Sequence, residues 1–291
     1  MTELTVSDSS SGQSLLAFIQ QQIPAAPAGY LQQLARKGRL LLNQQATTGQ
    51  ALLQSGDRVT LPVSKRLEQL LQESQGEQID VLLEGPDFLV AYKPAGLAVH
   101  RGVGHETNNL ADRVGNWLKR RRLPFSALPV HRLDVGTSGP VLFAKGRRAA
   151  GILGGYFMAG QVEKRYIALV AGQVAGDGEL HTPVPAKGKL RAAVTRYRQV
   201  AGNRHYSLLQ LELVSGRKHQ IRRQLADAGH PLIGDRRYGG PSIQNCRWPF
   251  LHCCTLAWPD SSGDQPLTVS CPLPQDLKHL LSAIDLYLPN A

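Results

Sequence analysis

Apolar positions near the start of the chain recur at helical spacing before they begin to alternate. Leu15, Leu16, Phe18 and Ile19 mark one amphipathic helix, and residues 30–35 carry a second. Arg39-Leu-Leu-Leu-Asn43 reads as a strand ending in an Asn-Gln turn, and Asp57-Arg-Val-Thr-Leu-Pro62 as another strand. Residues 63–77 are polar with scattered leucines, the pattern of a helical linker. Beyond them, strand-like runs at 79–83, 88–92, 140–145 and 165–170 mix with helices near 109–119 and over 147–158. Two period-2 runs, 193–200 and 206–214, flank Ala-Gly-Asn-Arg and predict a hairpin. Strands do not alternate strictly with crossover helices. The expected fold class is therefore α+β: a mixed, largely antiparallel sheet flanked by helices, preceded by a small α/β domain. The expected division is a first domain at 1–62, a linker at 63–77 and a main domain at 78–291.

Charge changes this picture by marking a boundary between the two parts. The 291 residues include 33 Lys+Arg against 22 Asp+Glu, a formal charge of +11. With 42% hydrophobic residues the chain can bury a proper core, so the excess sits on a folded surface and not on a disordered tail. Gly 29 and Pro 18 favour a turn-rich mixed fold over a helical bundle. Residues 1–77 hold six basic and six acidic side chains, which leaves the whole excess to residues 78–291. It is densest at Lys119-Arg120-Arg121-Arg122 and between Lys187 and Arg237, and it calls for a polyanionic partner. The N-terminus lacks a basic segment before an apolar stretch, and no apolar run approaches the ~18 residues of a membrane span; a cytosolic protein is expected. Cys246, Cys253, Cys254 and Cys271 show no metal-ligand rhythm and read as reduced, mostly buried thiols. Neither Gly-x-x-x-x-Gly-Lys-Ser/Thr nor Gly-x-Gly-x-x-Gly occurs, which disfavours ATP- or NAD-dependent chemistry.

Candidate chemistry concentrates in two stretches. In His131-Arg-Leu-Asp-Val-Gly-Thr-Ser-Gly139, Asp134 is the only carboxylate between Asp112 and Glu163, and the loop opens an apolar strand able to hold it with little slack. An Asx-type turn is the plainer use of such a residue. The second stretch is Ser215-Gly-Arg-Lys-His-Gln-Ile-Arg-Arg-Gln-Leu-Ala-Asp-Ala-Gly229. A helix over 217–228 would put Lys218, Arg222 and Leu225 on one face, with Arg222 pointing inward. An inward arginine wants a carboxylate, and a pair with Asp134 would keep that carboxylate ionised. Arg217, Lys218 and Arg223 suit a solvated basic face as well as RNA contact. His100, His219, His230 and His252 lack metal spacing, so caps, loop hydrogen bonds or phosphate contacts are expected of them.

Together these stretches resemble the RluA-type pseudouridine synthases. The family pattern His-Arg-Leu-Asp-x-x-Thr-Ser-Gly is matched at 131–139, Gly-Arg-x-His-Gln-Ile-Arg at 216–222, and Gly-His-Pro-x-x-Gly-Asp-x-x-Tyr-Gly at 229–239. Lys93-Pro-Ala-Gly-Leu-Ala-Val-His100 and Lys164-Arg-Tyr166 fit two further elements in the right order, so the resemblance covers about residues 78–291. The helix-helix-strand-strand order before them resembles, in part, the S4 RNA-binding module, without the Arg-Leu-Asp start usual there. The resemblance implies isomerisation of uridine in RNA, ribosomal in preference to transfer RNA, by a monomer with no cofactor and no metal. It implies Asp134 as catalytic aspartate, Arg222 as its ion-pair partner, and Tyr166 as the aromatic residue that stacks on the base or assists proton removal. His131, Arg132, Lys93, Lys164, Arg217, Lys218 and His219 are the implied substrate or RNA contacts. The uridine would be flipped out of its stack, with Arg132 and His131 filling or bracing the vacated space. Gln224 and Ser215 depart from the commoner His and Thr, which is expected to bear on the choice of RNA. Two other readings stay open: a non-catalytic RNA-binding or ribosome-assembly factor, and a hydrolase using Asp134 alone, disfavoured by the missing second carboxylate.

Overall fold

In a computed structural model the chain forms two compact units, Met1–Gln78 and Ile79–Ala291. The residues described are 2–6, 10–23, 25–77, 79–102, 108–186, 188–243, 246–260 and 265–288.

The first unit contains β1 (Thr2–Thr5), α1 (Leu15–Gln22), α2 (Ala28–Arg36), β2 (Leu41–Leu42), β3 (Gln45–Ala46), β4 (Arg58–Leu61) and α3 (Lys65–Glu77). Its antiparallel sheet has the order β1-β4-β2-β3. Asn43 and Gln44 take left-handed φ values of 49° and 69°, the geometry of a tight hairpin turn, so the expected Asn-Gln turn is there. The apolar faces of α1 and α2 supply Leu15, Phe18, Ile19, Leu31 and Leu34 to one core. The helix expected over 63–77 is present as α3, but it is packed where a linker was expected. Its Leu67 and Leu70 are buried in the same core, so the scattered leucines there are packing residues.

The second unit runs β5 (Val81–Glu84), β6 (Phe88–Lys93), α4 (Leu110–Arg120), β7 (Ala127–Pro129), β8 (Gly139–Lys145), α5 (Arg147–Met158), β9 (Glu163–Ala171), β10 (Asp177–Leu180), β11 (Val184–Ala186), β12 (Lys189–Arg191), β13 (Thr195–Gly202), β14 (Tyr206–Leu213), α6 (Gln220–Asp227), β15 (Leu251–Trp258), β16 (Leu267–Ser270) and α7 (Gln275–Ser282). A four-stranded sheet, β5-β6-β8-β7, lies beside a six-stranded one, β10-β13-β14-β9-β15-β16, and β11 pairs with β12. Every pairing between these named strands is antiparallel, as expected for the α+β class. The predicted hairpin is β13–β14, with a register shift between Gln199 and Ala201.

The two larger sheets meet where β8 begins. Ser138 and His252 form an isolated parallel bridge, and the Cys253 N–H donates to the Ser138 carbonyl at 2.8 Å. Close approach here requires glycine: at Gly139, with φ 134°, a Cβ would lie 2.5 Å from the Cys253 carbonyl oxygen. One core joins the sheets through Val141, Phe143, Ala168, Leu209 and Leu251, and it includes Leu133, next in sequence to Asp134. The junction thus fixes the loop that carries the candidate carboxylate. Among the described residues no helix is long and apolar enough to cross a membrane.

Candidate active site

The loop between β7 and β8 is tied down on every side before it presents Asp134. The Asp134 carbonyl accepts the Thr137 N–H at 3.0 Å, turning the chain, while Leu133, Thr137 and Ser138 are buried. The Val135 carbonyl accepts from the Gly96 N–H at 2.7 Å and from Lys93 Nζ at 3.1 Å. Lys93 also donates to the carbonyls of Pro94 at 2.9 Å and Leu97 at 2.8 Å.

Lys93 therefore does not fill the RNA-contact role expected of it. It is fully buried, and its three donors are spent on three carbonyls, one of them adjacent to Asp134. Burial pulls its ammonium down to about 7, with the Asp134 charge opposing that shift. We expect Lys93→Met to lower stability to urea by about 2–4 kcal/mol, since three buried carbonyls lose their donor. RNA affinity of the folded variant should stay within about twofold of wild type. Wild-type stability combined with weakened RNA binding would return Lys93 to the RNA surface.

His131 is likewise committed. Its Nε2 accepts the Leu142 N–H at 3.0 Å, and its ring stacks on Phe157 at 4.9 Å between centroids. Burial pushes its pKa down to about 3, so it is a neutral wall residue that braces the middle of β8. Arg132, beside it, is exposed.

The opposite wall comes from the segment leading into α6. This helix starts at Gln220 and not at 217, because His219 adopts a left-handed conformation with φ 55°. Lys218 is therefore off the helix, and the expected shared face of Lys218 and Arg222 does not form. Arg222 and Leu225 do point inward, both buried. Two glutamines anchor the helix. Gln220 donates to the Val194 carbonyl and accepts the Arg217 N–H at 3.1 Å each. Gln224, fully buried, donates to the carbonyls of Leu180, Thr182 and Ala193. This corrects the expectation that Gln224 bears on the choice of RNA; it is a core anchor. Ser215 caps the same network, donating to Gln220 Oε1 at 2.9 Å.

Arg222 has a partner the sequence reading did not assign. Its Nε and Nη2 grip the Asp235 carboxylate at 2.6 and 2.7 Å, a bidentate pair in which the Asp235 side chain is only 1% exposed. The remaining nitrogen, Nη1, stands 3.8 Å from Asp134 Oδ2. Asp134 is thus Arg222's second, longer contact. On its other side Asp134 Oδ1 lies 3.6 Å from His219 Nε2. His219 in turn meets the Tyr238 hydroxyl through Nδ1 at 3.0 Å. Burial is the main cause lowering the His219 pKa, with Asp134 opposing it and Arg222, Arg237 and Lys218 adding to it.

These walls enclose a cleft of about 770 Å³, within the usual size range for a small-molecule or nucleotide pocket. Tyr166, on β9, forms part of its floor. Its ring is buried opposite Cys253 on β15, and burial raises the phenol well above 10, so it stays protonated. Lys164 lines the same wall, its Nζ 5.6 Å from the Phe157 ring centre. Arg217 and Lys218 are exposed at the mouth. Among the described lining residues Asp134 is the sole carboxylate.

The other histidines and the thiols are accounted for elsewhere. His252 is buried, with Nδ1 on the Ser138 hydroxyl and Nε2 on the Cys271 carbonyl, both at 2.9 Å. His230 Nδ1 meets the Ala171 carbonyl at 3.0 Å. Cys246, Cys253 and Cys271 are buried free thiols and Cys254 is half-buried. His100 is exposed at the end of the turn after β6. Of the residues missed from sequence, Asp235 and Tyr238 both lie in the matched pattern at 229–239. That match was the available signal, but it carried no role for either side chain.

The fold has known counterparts. Human RNA Pseudouridylate Synthase Domain Containing 4 superposes with a TM-score of 0.61 at 23% identity, covering 72% of this chain and 94% of that one. A family model described as RNA pseudouridylate synthase matches residues 87–227, which include the Asp134 loop and α6. Ribosomal large subunit pseudouridine synthase D of Nitrosomonas europaea is 30% identical over 300 residues, spanning 97% of this chain and 87% of its own length. Ribosomal large subunit pseudouridine synthase C of Yersinia pestis is 29% identical over 314 residues, spanning 97% and 95%. The chain belongs to the RNA pseudouridine synthases of the RluA type, isomerases that act on RNA.

Proposed function

We propose that the enzyme isomerises uridine in large-subunit ribosomal RNA, with Asp134 as the catalytic carboxylate. The single observation that carries this reading is the placement of Asp134, the one carboxylate among the described lining residues of the cleft, between Arg222 Nη1 at 3.8 Å and His219 Nε2 at 3.6 Å. The names of the relatives support the ribosomal substrate. In the reaction the N1–C1′ bond breaks, the base turns over, and C5 bonds to C1′. C5 loses a proton and N1 gains one, so the change is redox-neutral and consumes no co-reactant. A fixed carboxylate can attack an electron-poor carbon or take a ribose proton. The Tyr166 ring, protonated and on the floor of the cleft, is suited to stack on the flipped base, and the exposed Arg132 to replace it in the strand.

All parts of this site come from one unit of one chain, which supports a monomeric enzyme, and the ribosomal substrate supports action in the cytoplasm. The first unit is taken as an S4-like module in a lesser, positioning role, in keeping with its balanced charge. The test is RNA labelled with tritium at uridine C5. Wild type should release tritium from large-subunit ribosomal RNA and not from transfer RNA. Release of free uracil, or no release at all, would defeat the reading.

Binding strength should come largely from the mouth of the cleft. Changing Arg217 and Lys218 together to alanine is expected to flatten the plot of log affinity against log salt by about 2 units, the share of two phosphate contacts. An unchanged slope in a filter-binding titration would show that these side chains are merely solvated.

A further inference from the structure

The turn that follows α6 holds both groups that face Asp134. Asp235 opens a short 3-10 turn, Arg236–Tyr238, and its carboxylate grips Arg222. Tyr238 closes the turn, and its hydroxyl meets His219 Nδ1 at 3.0 Å. The turn has little freedom. The Tyr238 and Gly240 N–H groups both donate to the Asp235 carbonyl, at 3.1 and 2.8 Å. A Cβ at Gly234 would lie 2.5 Å from the Trp248 carbonyl oxygen, so the chain entering the turn is packed against its neighbour.

The proton on His219 can be placed from this geometry. Nε2 lies 3.6 Å from a carboxylate oxygen, where a bare lone pair would be repelled and an N–H attracted. The ring is neutral, since its pKa is lowered by burial first and then by Arg222, Arg237 and Lys218 against the pull of Asp134. A neutral ring with its hydrogen on Nε2 has a bare Nδ1. That atom accepts from the Tyr238 hydroxyl, which in this arrangement is the donor.

We propose that Tyr238 is a positioning residue of the catalytic centre, fixing His219 in the tautomer that aims Nε2–H at Asp134. This rests on the assignment of Asp134 as the catalytic carboxylate. At 3.6 Å the contact is longer than a hydrogen bond, within the range from which catalytic contacts commonly tighten. With the tautomer fixed, Asp134 meets a neutral donor on one side and a guanidinium on the other. Without it, His219 turns a lone pair toward the carboxylate for part of the time.

Tyr238→Phe removes only the hydroxyl and keeps the ring beside Arg222, Arg223 and Arg237. Tritium release by this variant should show kcat lowered about tenfold with KM within about twofold, the range seen when an outer partner of a site histidine is lost. His219→Gln keeps an N–H near the Nε2 position and has no tautomer to fix, so adding Tyr238→Phe to it should cost less than about twofold. Equal costs in the two backgrounds would mean that the hydroxyl serves packing alone and would overturn the proposal, as would an indifferent Tyr238→Phe. Nitrogen-15 NMR of His219 gives a readout independent of turnover: the Nε2–H form in wild type and a mixture in Tyr238→Phe. A wild-type ring protonated on Nδ1 would overturn the proposal even in an active enzyme. A wild type that releases no tritium would instead defeat the assignment of Asp134, leaving the tautomer to be read by NMR.

Discussion

Asp134→Asn is expected to lower turnover by about 10⁴-fold or more while leaving the protein folded. The size follows from the makeup of the cleft: it holds one carboxylate among the described lining residues, and no second acid stands ready to replace it. The tolerance of the fold follows from the distances. At 3.6 Å from His219 and 3.8 Å from Arg222, the Asp134 side chain makes no contact of hydrogen-bond length to either. The loop is held by backbone and by Lys93, through the bonds to Thr137 and Val135 that the substitution leaves untouched. Urea stability should therefore stay within about 1 kcal/mol, the scale of a long ion pair. RNA affinity should hold or rise slightly, because a negative charge leaves a basic cleft. Tritium release measured beside a filter-binding titration checks both halves. A variant within tenfold of wild-type turnover would remove Asp134 from the chemistry.

The sequence made the carboxylate legible because its surroundings are local. Asp134, the apolar strand after it and the buried Leu133 before it all lie within a dozen residues. The β13–β14 hairpin and α5 were legible for the same reason, each being set by contiguous periodicity. Strand β15 was not expected, although it pairs with β9 at the centre of the larger sheet. Its His252-Cys-Cys-Thr segment does not alternate, and a register shift between Cys253 and Thr255 explains why. The RNA-contact role of Lys93 was carried over from the resemblance, with no local signal in the sequence for its burial. Only the fold shows three carbonyls converging on it. The expected pair of Arg222 with Asp134 is present at 3.8 Å, but the closer partner, Asp235, was not foreseen. An inward arginine does require a carboxylate, but two were in reach, and composition cannot choose between Asp134 and a residue on the turn after the helix.

That choice sets the largest expected effect on stability. Asp235→Ala should destabilise the protein by about 3–5 kcal/mol, because it leaves the Arg222 guanidinium buried without its bidentate partner. Asp235 is 1% exposed and Arg222 9%, so water cannot take over the lost contacts. Arg222→Ala should cost a similar amount by stranding Asp235, and its loss of activity will therefore mix misfolding with chemistry. A double change separates the two. Arg222→Met combined with Asp235→Leu replaces the pair with apolar side chains of similar bulk, a swap that is often neutral or stabilising for buried ion pairs. The double variant should recover most of the urea stability lost by either single change. It should still turn over at least about 100-fold more slowly than wild type, since Nη1 no longer faces Asp134. Recovery of activity along with stability would show that the pair only holds the turn to α6. Recovery of stability alone would show that Asp235 acts through Arg222, by aiming the one nitrogen it leaves free at the catalytic carboxylate.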